Sequence, residues 1–219
     1  MTTTYRGSRK WLRRMFGVFL IMTATLGCVN DLTPHGGWSS PVVSDDKLLI
    51  GNVDGNLVRL DPVTGKLDNG WSYPREDGLG AIYADVLVAD GAVYGSGYTC
   101  RGDDCEGEIF ALDLTSGLSL WGQNGLLLKT KLIGQVGLMG KTLLIGTSAI
   151  GDEDDGADGY LYALDATPNT SSIVKWRIPL DGNVWSGVAV EGSMAYVATM
   201  AGTVYAINVS DGEPTGLFD

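Results

Sequence analysis

Four versions of one five-residue string recur along this chain: Leu57-Val58-Arg59-Leu60-Asp61, Ile109-Phe110-Ala111-Leu112-Asp113, Leu161-Tyr162-Ala163-Leu164-Asp165 and Val204-Tyr205-Ala206-Ile207-Asn208. A repeat spaced by about 40 to 50 residues marks stacked supersecondary units, none of which can bury its hydrophobic face alone. The chain is therefore expected to build a scaffold by repetition, and what surrounds each copy of the string says which scaffold.

Each unit opens with a short strand and a tight turn: Ser40-Pro41-Val42-Val43 before Asp45-Asp46, Asp85-Val86-Leu87-Val88 before Asp90-Gly91, and Gly187-Val188-Ala189-Val190 before Glu191-Gly192. The third unit is looser, with Val136-Gly137-Leu138-Met139 before Gly140-Lys141. A second strand follows at once in every unit (Leu48-Leu49-Ile50-Gly51, Ala92-Val93-Tyr94-Gly95, Leu143-Leu144-Ile145-Gly146, Ala195-Tyr196-Val197-Ala198), which predicts antiparallel hairpins. The repeated string is the third strand, and its closing Asp before Thr-Gly or Ser-Gly is explained by turn chemistry. A last strand is expected to carry Trp71, Trp121 and Trp176 as packing anchors between sheets, with Phe218 where the fourth unit needs its tryptophan.

Both alternating faces of the third strand are apolar, Leu161 and Ala163 on one side, Tyr162 and Leu164 on the other. A sheet in an ordinary sandwich would keep one wet face, so each sheet is expected to be covered on both sides, as a propeller blade is by its neighbours. The predicted class is all-β: a β-propeller of four-stranded antiparallel blades at about 38–76, 80–124, 132–179 and 183–219.

The pattern of strand, Asp-Gly turn, Leu-Tyr-Ala-Leu-Asp, Thr-Gly and then Trp resembles the pyrroloquinoline-quinone (PQQ)-like repeat of eight-bladed propellers, over residues 38–218. That resemblance implies one of two functions. One is the noncatalytic envelope lipoprotein of the BamB type, a scaffold with a protein partner and no cofactor. The other is a quinoprotein dehydrogenase, or a fragment or relative of one, holding PQQ and calcium. Quinoprotein alcohol dehydrogenases clamp the quinone under a disulfide between adjacent cysteines, and this chain has no Cys-Cys pair.

Residues 1–27 have the layout of an export signal: Arg6, Arg9, Lys10, Arg13 and Arg14 precede an uncharged run of 12 residues from Met15 to Leu26. That run is short of the roughly 20 residues a membrane-spanning helix needs. Thr25-Leu26-Gly27-Cys28 resembles the lipobox of bacterial lipoproteins, which implies lipid on Cys28, a linker over 28–37 and a membrane-anchored, extracytoplasmic location in the bacterial cell envelope. Thr25 departs from the usual Leu, leaving ordinary cleavage open, and Arg13-Arg14-Met15-Phe16 faintly resembles a twin-arginine signal. Without residues 1–27 the chain carries 10 Lys and Arg against 26 Asp and Glu, a net of −16. Such a charge repels nucleic acid and anionic surfaces and suits cationic partners.

Chemistry-bearing clusters are few. Cys100 and Cys105 are expected to close a small structural disulfide in an oxidising compartment. The acidic stretch 151–159 alternates Asp152, Asp154 and Asp158 but places Gly156 where a calcium loop wants a ligand, so it reads as a solvated hairpin loop, with a weak surface calcium site as the alternative. The single histidine, His35, has no nucleophile motif to serve. Trp38, Tyr83 and Trp185 occupy equivalent places before the first strands of units one, two and four, and form a candidate ligand rim near a central channel.

Four blades leave three arrangements open: a compact closed ring, a half-propeller that pairs as a homodimer, or part of a longer array with further blades. Arg59 stands where the other units place Ala111, Ala163 and Ala206, on a face that should be covered. An unpaired buried arginine is costly, so that face of the first blade is expected to be wet or to carry its charge to a rim, as in an open array.

Overall fold

The computed structural model describes residues 39–74, 79–102, 104–122, 125–150 and 156–218, all within the unit Pro34–Asp219. The signal segment 1–27, Cys28, the linker 28–37, Trp38, Asp152 and Asp154 lie outside the described residues. The described chain forms four antiparallel sheets, each of four strands in chain order. Blade 1 comprises β1 (Val42–Ser44), β2 (Lys47–Gly51), β3 (Leu57–Leu60) and β4 (Leu67–Tyr73). Blade 2 comprises β5 (Leu87–Ala89), β6 (Ala92–Arg101), β7 (Asp104–Asp113) and β8 (Leu126–Leu128). Blade 3 comprises β9 (Gly137–Met139), β10 (Thr142–Ser148), β11 (Gly159–Asp165) and β12 (Val174–Leu180). Blade 4 comprises β13 (Ala189–Glu191), β14 (Met194–Ala198), β15 (Val204–Asn208) and β16 (Pro214–Phe218). These are four blades of a β-propeller.

The period of two in a strand sends each residue of the repeated string to one of two cores. Ile109 and Ala111 pack forward with Leu143, Ile145, Tyr162 and Leu164 of blade 3. Their neighbours Phe110 and Leu112 pack backward with Leu49, Leu57 and Trp71 of blade 1. Blade 3 repeats the division, with Leu144, Leu161 and Ala163 meeting Ala195, Val197 and Ile207 of blade 4. These three junctions are where the apolar area leaves water, which stabilises by about 25 cal/mol per Å².

Each junction is pinned by a tryptophan that donates its indole N–H to a carbonyl of the next blade: Trp71 to Leu114 at 2.9 Å, Trp121 to Asp165 at 2.9 Å and Trp176 to Val209 at 3.1 Å. At the first and third junctions the glycine of the next blade's turn lies under the ring. A Cβ on Gly117 would fall 3.2 Å from Trp71 and one on Gly212 2.9 Å from Trp176, and both glycines have φ near +70 to +80° (69° and 78°). Two details of the fourth strand depart from expectation. Trp121 sits in a turn ahead of β8, drawn to Ala111 by the Leu120 N–H on the Ala111 carbonyl, 2.7 Å. In blade 4, Gly216 and not Phe218 stands opposite Ala206, as Trp176 stands opposite Ala163. A bulge between Ala206 and Ile207 sets that register.

Arg59 corrects the expectation of a wet face. Its side chain is 15% exposed, ion-paired to Asp68 at 2.8 Å, and donates to the Leu114 carbonyl at 2.6 Å. Its guanidinium also lies over Trp71, 5.3 Å from the ring centroid. The partners that make this burial tolerable are supplied by the fourth strand of its own blade and by the next blade.

Turn chemistry uses the closing carboxylates. Asp61 accepts from the Val63 and Thr64 N–H groups at 3.0 and 2.8 Å, Asp113 from Ser116 N–H and hydroxyl, both at 2.7 Å, and Asp165 from Thr167 N–H at 2.9 Å. Asn208 makes the same turn with Ser210, at 3.0 Å from N–H and 2.9 Å from hydroxyl. These bonds hold Asp61, Asp113 and Asp165 below the usual carboxylate value of 3.8: Thr64 N–H leads for Asp61, the Ser116 hydroxyl for Asp113 and the Thr167 hydroxyl for Asp165.

Two expectations follow for stability. Arg59→Ala should lower it by about 1–3 kcal/mol, because Asp68 and the Leu114 carbonyl lose a charged donor, and Trp121→Phe by about 1 kcal/mol, for one indole bond. Urea midpoints check both, and an unchanged midpoint for Arg59→Ala would mean the pair contributes nothing. The depressed carboxylates contribute stability that is present above 3.8 and lost as pH falls through their lower folded values. Replacing Asp61, Asp113 and Asp165 together by Asn, the residue blade 4 already uses, should therefore flatten the acid limb of a stability-versus-pH curve below about pH 4.

Candidate interaction site

The segments that lead into the first strands converge. Ser40 N–H bonds the Asp85 carboxylate at 2.8 Å, joining blades 1 and 2, and Val188 N–H bonds the Gln135 carbonyl at 3.1 Å, joining blades 3 and 4. Gly134 meets the Ser186 carbonyl so closely that no Cβ would fit. First strands are thus the inner strands, and the residues four places before them face the part of the unit where blades crowd together.

Tyr83 and Trp185 occupy two such places, with different surroundings. Tyr83 stacks on Tyr98 of its own blade, centroids 5.6 Å apart and planes at 27°. Burial first, then the hydroxyl of Tyr83, pushes the Tyr98 phenol up to about 12. Trp185 is 48% exposed and reaches back to blade 3, its indole N–H on the Ser148 hydroxyl at 3.2 Å. The Ser148 carbonyl accepts from the buried hydroxyls of Thr130 and Thr147, at 3.1 and 2.8 Å. In blade 3 the equivalent place holds Ile133, so the aromatic positions of blades 2 and 4 are separated by an aliphatic one. Sequence reasoning passed over Ser96, a buried hydroxyl opposite Ile109, which has no hydrogen-bond partner among the described residues.

Blade 2 carries a projection. β6 and β7 are each ten residues long and pair to their tips, Thr99 with Glu106, Cys100 with Cys105 and Arg101 with Asp104. A disulfide joins Cys100 and Cys105 across this hairpin. Thr99, Arg101, Asp104 and Glu106 are exposed, so the hairpin offers a stiff polar tip beyond the short strands beside it.

Several polar groups between blades are occupied in holding them. The Tyr73 hydroxyl donates to Glu108, whose carboxylate also takes the Gly125 N–H at 3.0 Å. Burial and that carboxylate push the Tyr73 phenol well above its ordinary value. Asp181 accepts from the hydroxyls of Thr199 at 2.8 Å and Thr203 at 2.5 Å, which lower its pKa, the Thr203 bond most. Among the described residues no three His, Cys, Asp or Glu side chains come together as metal ligands would.

Among families, the model described as "Outer membrane protein assembly factor BamB" matches residues 105–215. No curated protein matches the sequence. Among solved structures, BamB from Moraxella catarrhalis is 21% identical with a TM-score of 0.56, covering 86% of this chain and 50% of that one. The quinohemoprotein alcohol dehydrogenase of Comamonas testosteroni is 18% identical with a TM-score of 0.59, covering 85% of this chain and 35% of that one. The computationally designed Ika4 protein is 13% identical with a TM-score of 0.56, over 83% of this chain and 94% of its own. The chain thus spans about half the length of that BamB and about a third of the dehydrogenase.

Proposed function

The chain belongs to the PQQ-like repeat family whose model bears the BamB description, and from that membership we propose that it is a noncatalytic β-propeller scaffold of the bacterial cell envelope, extracytoplasmic and anchored by lipid on Cys28. Its partner is a protein, and further blades, from a second copy or from another stretch of chain, complete its ring. The observation that carries this reading is the use made of its polar side chains. Turn carboxylates bind their own turns, and Arg59, Glu108 and Asp181 bind the blades together. What remains presentable is surface: the stapled hairpin tip, the half-exposed Trp185 and a strongly acidic exterior. A rigid surface of this kind binds with little ordering of its own loops, which favours recognition without chemistry.

A fragment or relative of a quinone-dependent dehydrogenase is the competing reading, favoured by the likeness of fold to the Comamonas enzyme. Fold alone does not carry activity, because one architecture hosts many sites. Full chain supplied with the quinone and calcium should give no oxidation of alcohols or sugars above the protein-free rate, followed with an artificial electron acceptor. Sustained turnover overturns the scaffold reading. Cys28→Ser should move the protein from the membrane fraction to the soluble one; unchanged partition overturns the lipid anchor.

A further inference from the structure

We infer that Asn69-Gly70 is a self-modifying step of this chain, at which the Gly70 amide nitrogen closes on the Asn69 side chain and water then converts the asparagine to aspartate and isoaspartate. The inference stands apart from the scaffold reading and concerns the outer strand of blade 1.

The pair is an insertion. From the turn glycine to the tryptophan register, blade 2 moves four positions, Gly117 to Trp121, and blade 4 four, Gly212 to Gly216, whereas blade 1 moves six, Gly65 to Trp71. The strand pairing shows where the extra residues go. In blade 3 one residue, Lys175, separates Val174, opposite Leu164, from Trp176, opposite Ala163. In blade 1, Leu67 stands opposite Leu60 and Ser72 opposite Val58, so residues 68–71 share the place facing Arg59. Asp68 on Arg59 and Trp71 on the Leu114 carbonyl take the contacts that join blades 1 and 2. Asn69 and Gly70 are left over, both exposed, in a bulge between two anchored shoulders.

The pair suits cyclisation. Attack on the preceding side-chain amide needs a backbone nitrogen whose own residue carries no crowding side chain, and glycine supplies it. Gly70 has a φ of 86°, which glycine adopts without strain, and a Cβ placed there would meet nothing within 4 Å. Asparagine is among the chemically labile residues, and water reaches this one.

The chain carries its own control. Of its asparagines, Asn69 and Asn124 alone precede glycine. Asn124 lies outside the described residues, but Gly125 is among them: its N–H is held by the Glu108 carboxylate at 3.0 Å, and a Cβ on it would collide with the Ile109 carbonyl. The nucleophile of that second step is engaged and enclosed, whereas Gly70 stands in open space. The same dipeptide is therefore reactive in blade 1 and protected in blade 2.

The step needs water and no redox partner. The Gly70 nitrogen bonds to Asn69 Cγ and gives up its proton as the side-chain amide leaves as ammonia, forming a cyclic imide. Water adds at Cγ and breaks the N–Cγ bond to give aspartate, or adds at the main-chain carbonyl carbon and breaks the bond there to give isoaspartate, the chain then running through Cγ. Either product adds a negative charge beside Asp68, whose carboxylate lies 2.8 Å from Arg59 and 3.8 Å from Lys47. Neither residue of the pair has a partner in the β3 register, so the ladder of blade 1 is left as it is.

The test incubates the full folded chain in heavy-oxygen water at mildly alkaline pH, digests it in ordinary water, and reads the label by mass spectrometry in the peptides carrying residues 69 and 124. Label should enter at residue 69, as a mixture of aspartate and isoaspartate, at least about tenfold faster than at residue 124, the protection a hydrogen bond to a charged acceptor provides. In the urea-unfolded chain the two positions should take up label at similar rates. Asn69→Gln should abolish uptake at its own position, leave that at residue 124 unchanged and keep the wild-type circular dichroism. An unlabelled residue 69 in the folded chain, equal rates at the two positions, or a ratio that urea leaves unaltered overturns the inference.

Discussion

The junction between neighbouring blades is the interaction on which everything else depends. A four-stranded sheet with apolar residues on both faces has no stable existence in water by itself, because either face would remain wet. Stacking resolves this by giving each alternate residue of the central strands a separate neighbour, so that Phe110 and Ala111, adjacent in the chain, belong to different cores. The indole bonds from Trp71, Trp121 and Trp176 then fix how far each blade slides on the next. Small residues follow from the same demand, since Gly117 and Gly212 leave room for those rings.

The same junctions absorb charge as well as apolar area. Where the first blade replaces alanine by Arg59, the junction absorbs the charge with Asp68, a carbonyl and an aromatic face rather than exposing it. A charged group paired in this way holds two blades together. The irregular parts lie at the margins: the stapled hairpin of blade 2 and the rim tryptophan of blade 4. Proteins that share an architecture differ in such margins, which is why a repeat can assign a family while leaving activity to be tested.

Much of the blade was readable from residues alone because period-two alternation and turn residues are local properties. The two-residue turns at Asp45-Asp46 and Asp90-Gly91, with φ of 48, 57, 50 and 75°, are read from neighbouring hydrophobic runs and Asp or Gly between them. The fourth strand was less readable. Its pairing passes through bulges, and a shift of one or two residues there decides whether Phe218 or Gly216 takes the tryptophan register. Trp121 carries the expected contact from a turn and not from a strand, since the indole bond needs only that the ring arrive.

The sequence by itself determined the architecture: a string repeated four times, apolar on alternating sides, admits stacked blades and little else. It also determined the turns, because Asp, Asn and Gly act on backbone within a few residues of themselves. Tertiary structure alone decided the fate of Arg59, whose accepting carbonyl at Leu114 is 55 residues away. It decided too that Ser96 is buried opposite Ile109. The reason is one of range: hairpins and periodicity are set by near neighbours, whereas burial and pairing belong to whichever blade arrives on the other side.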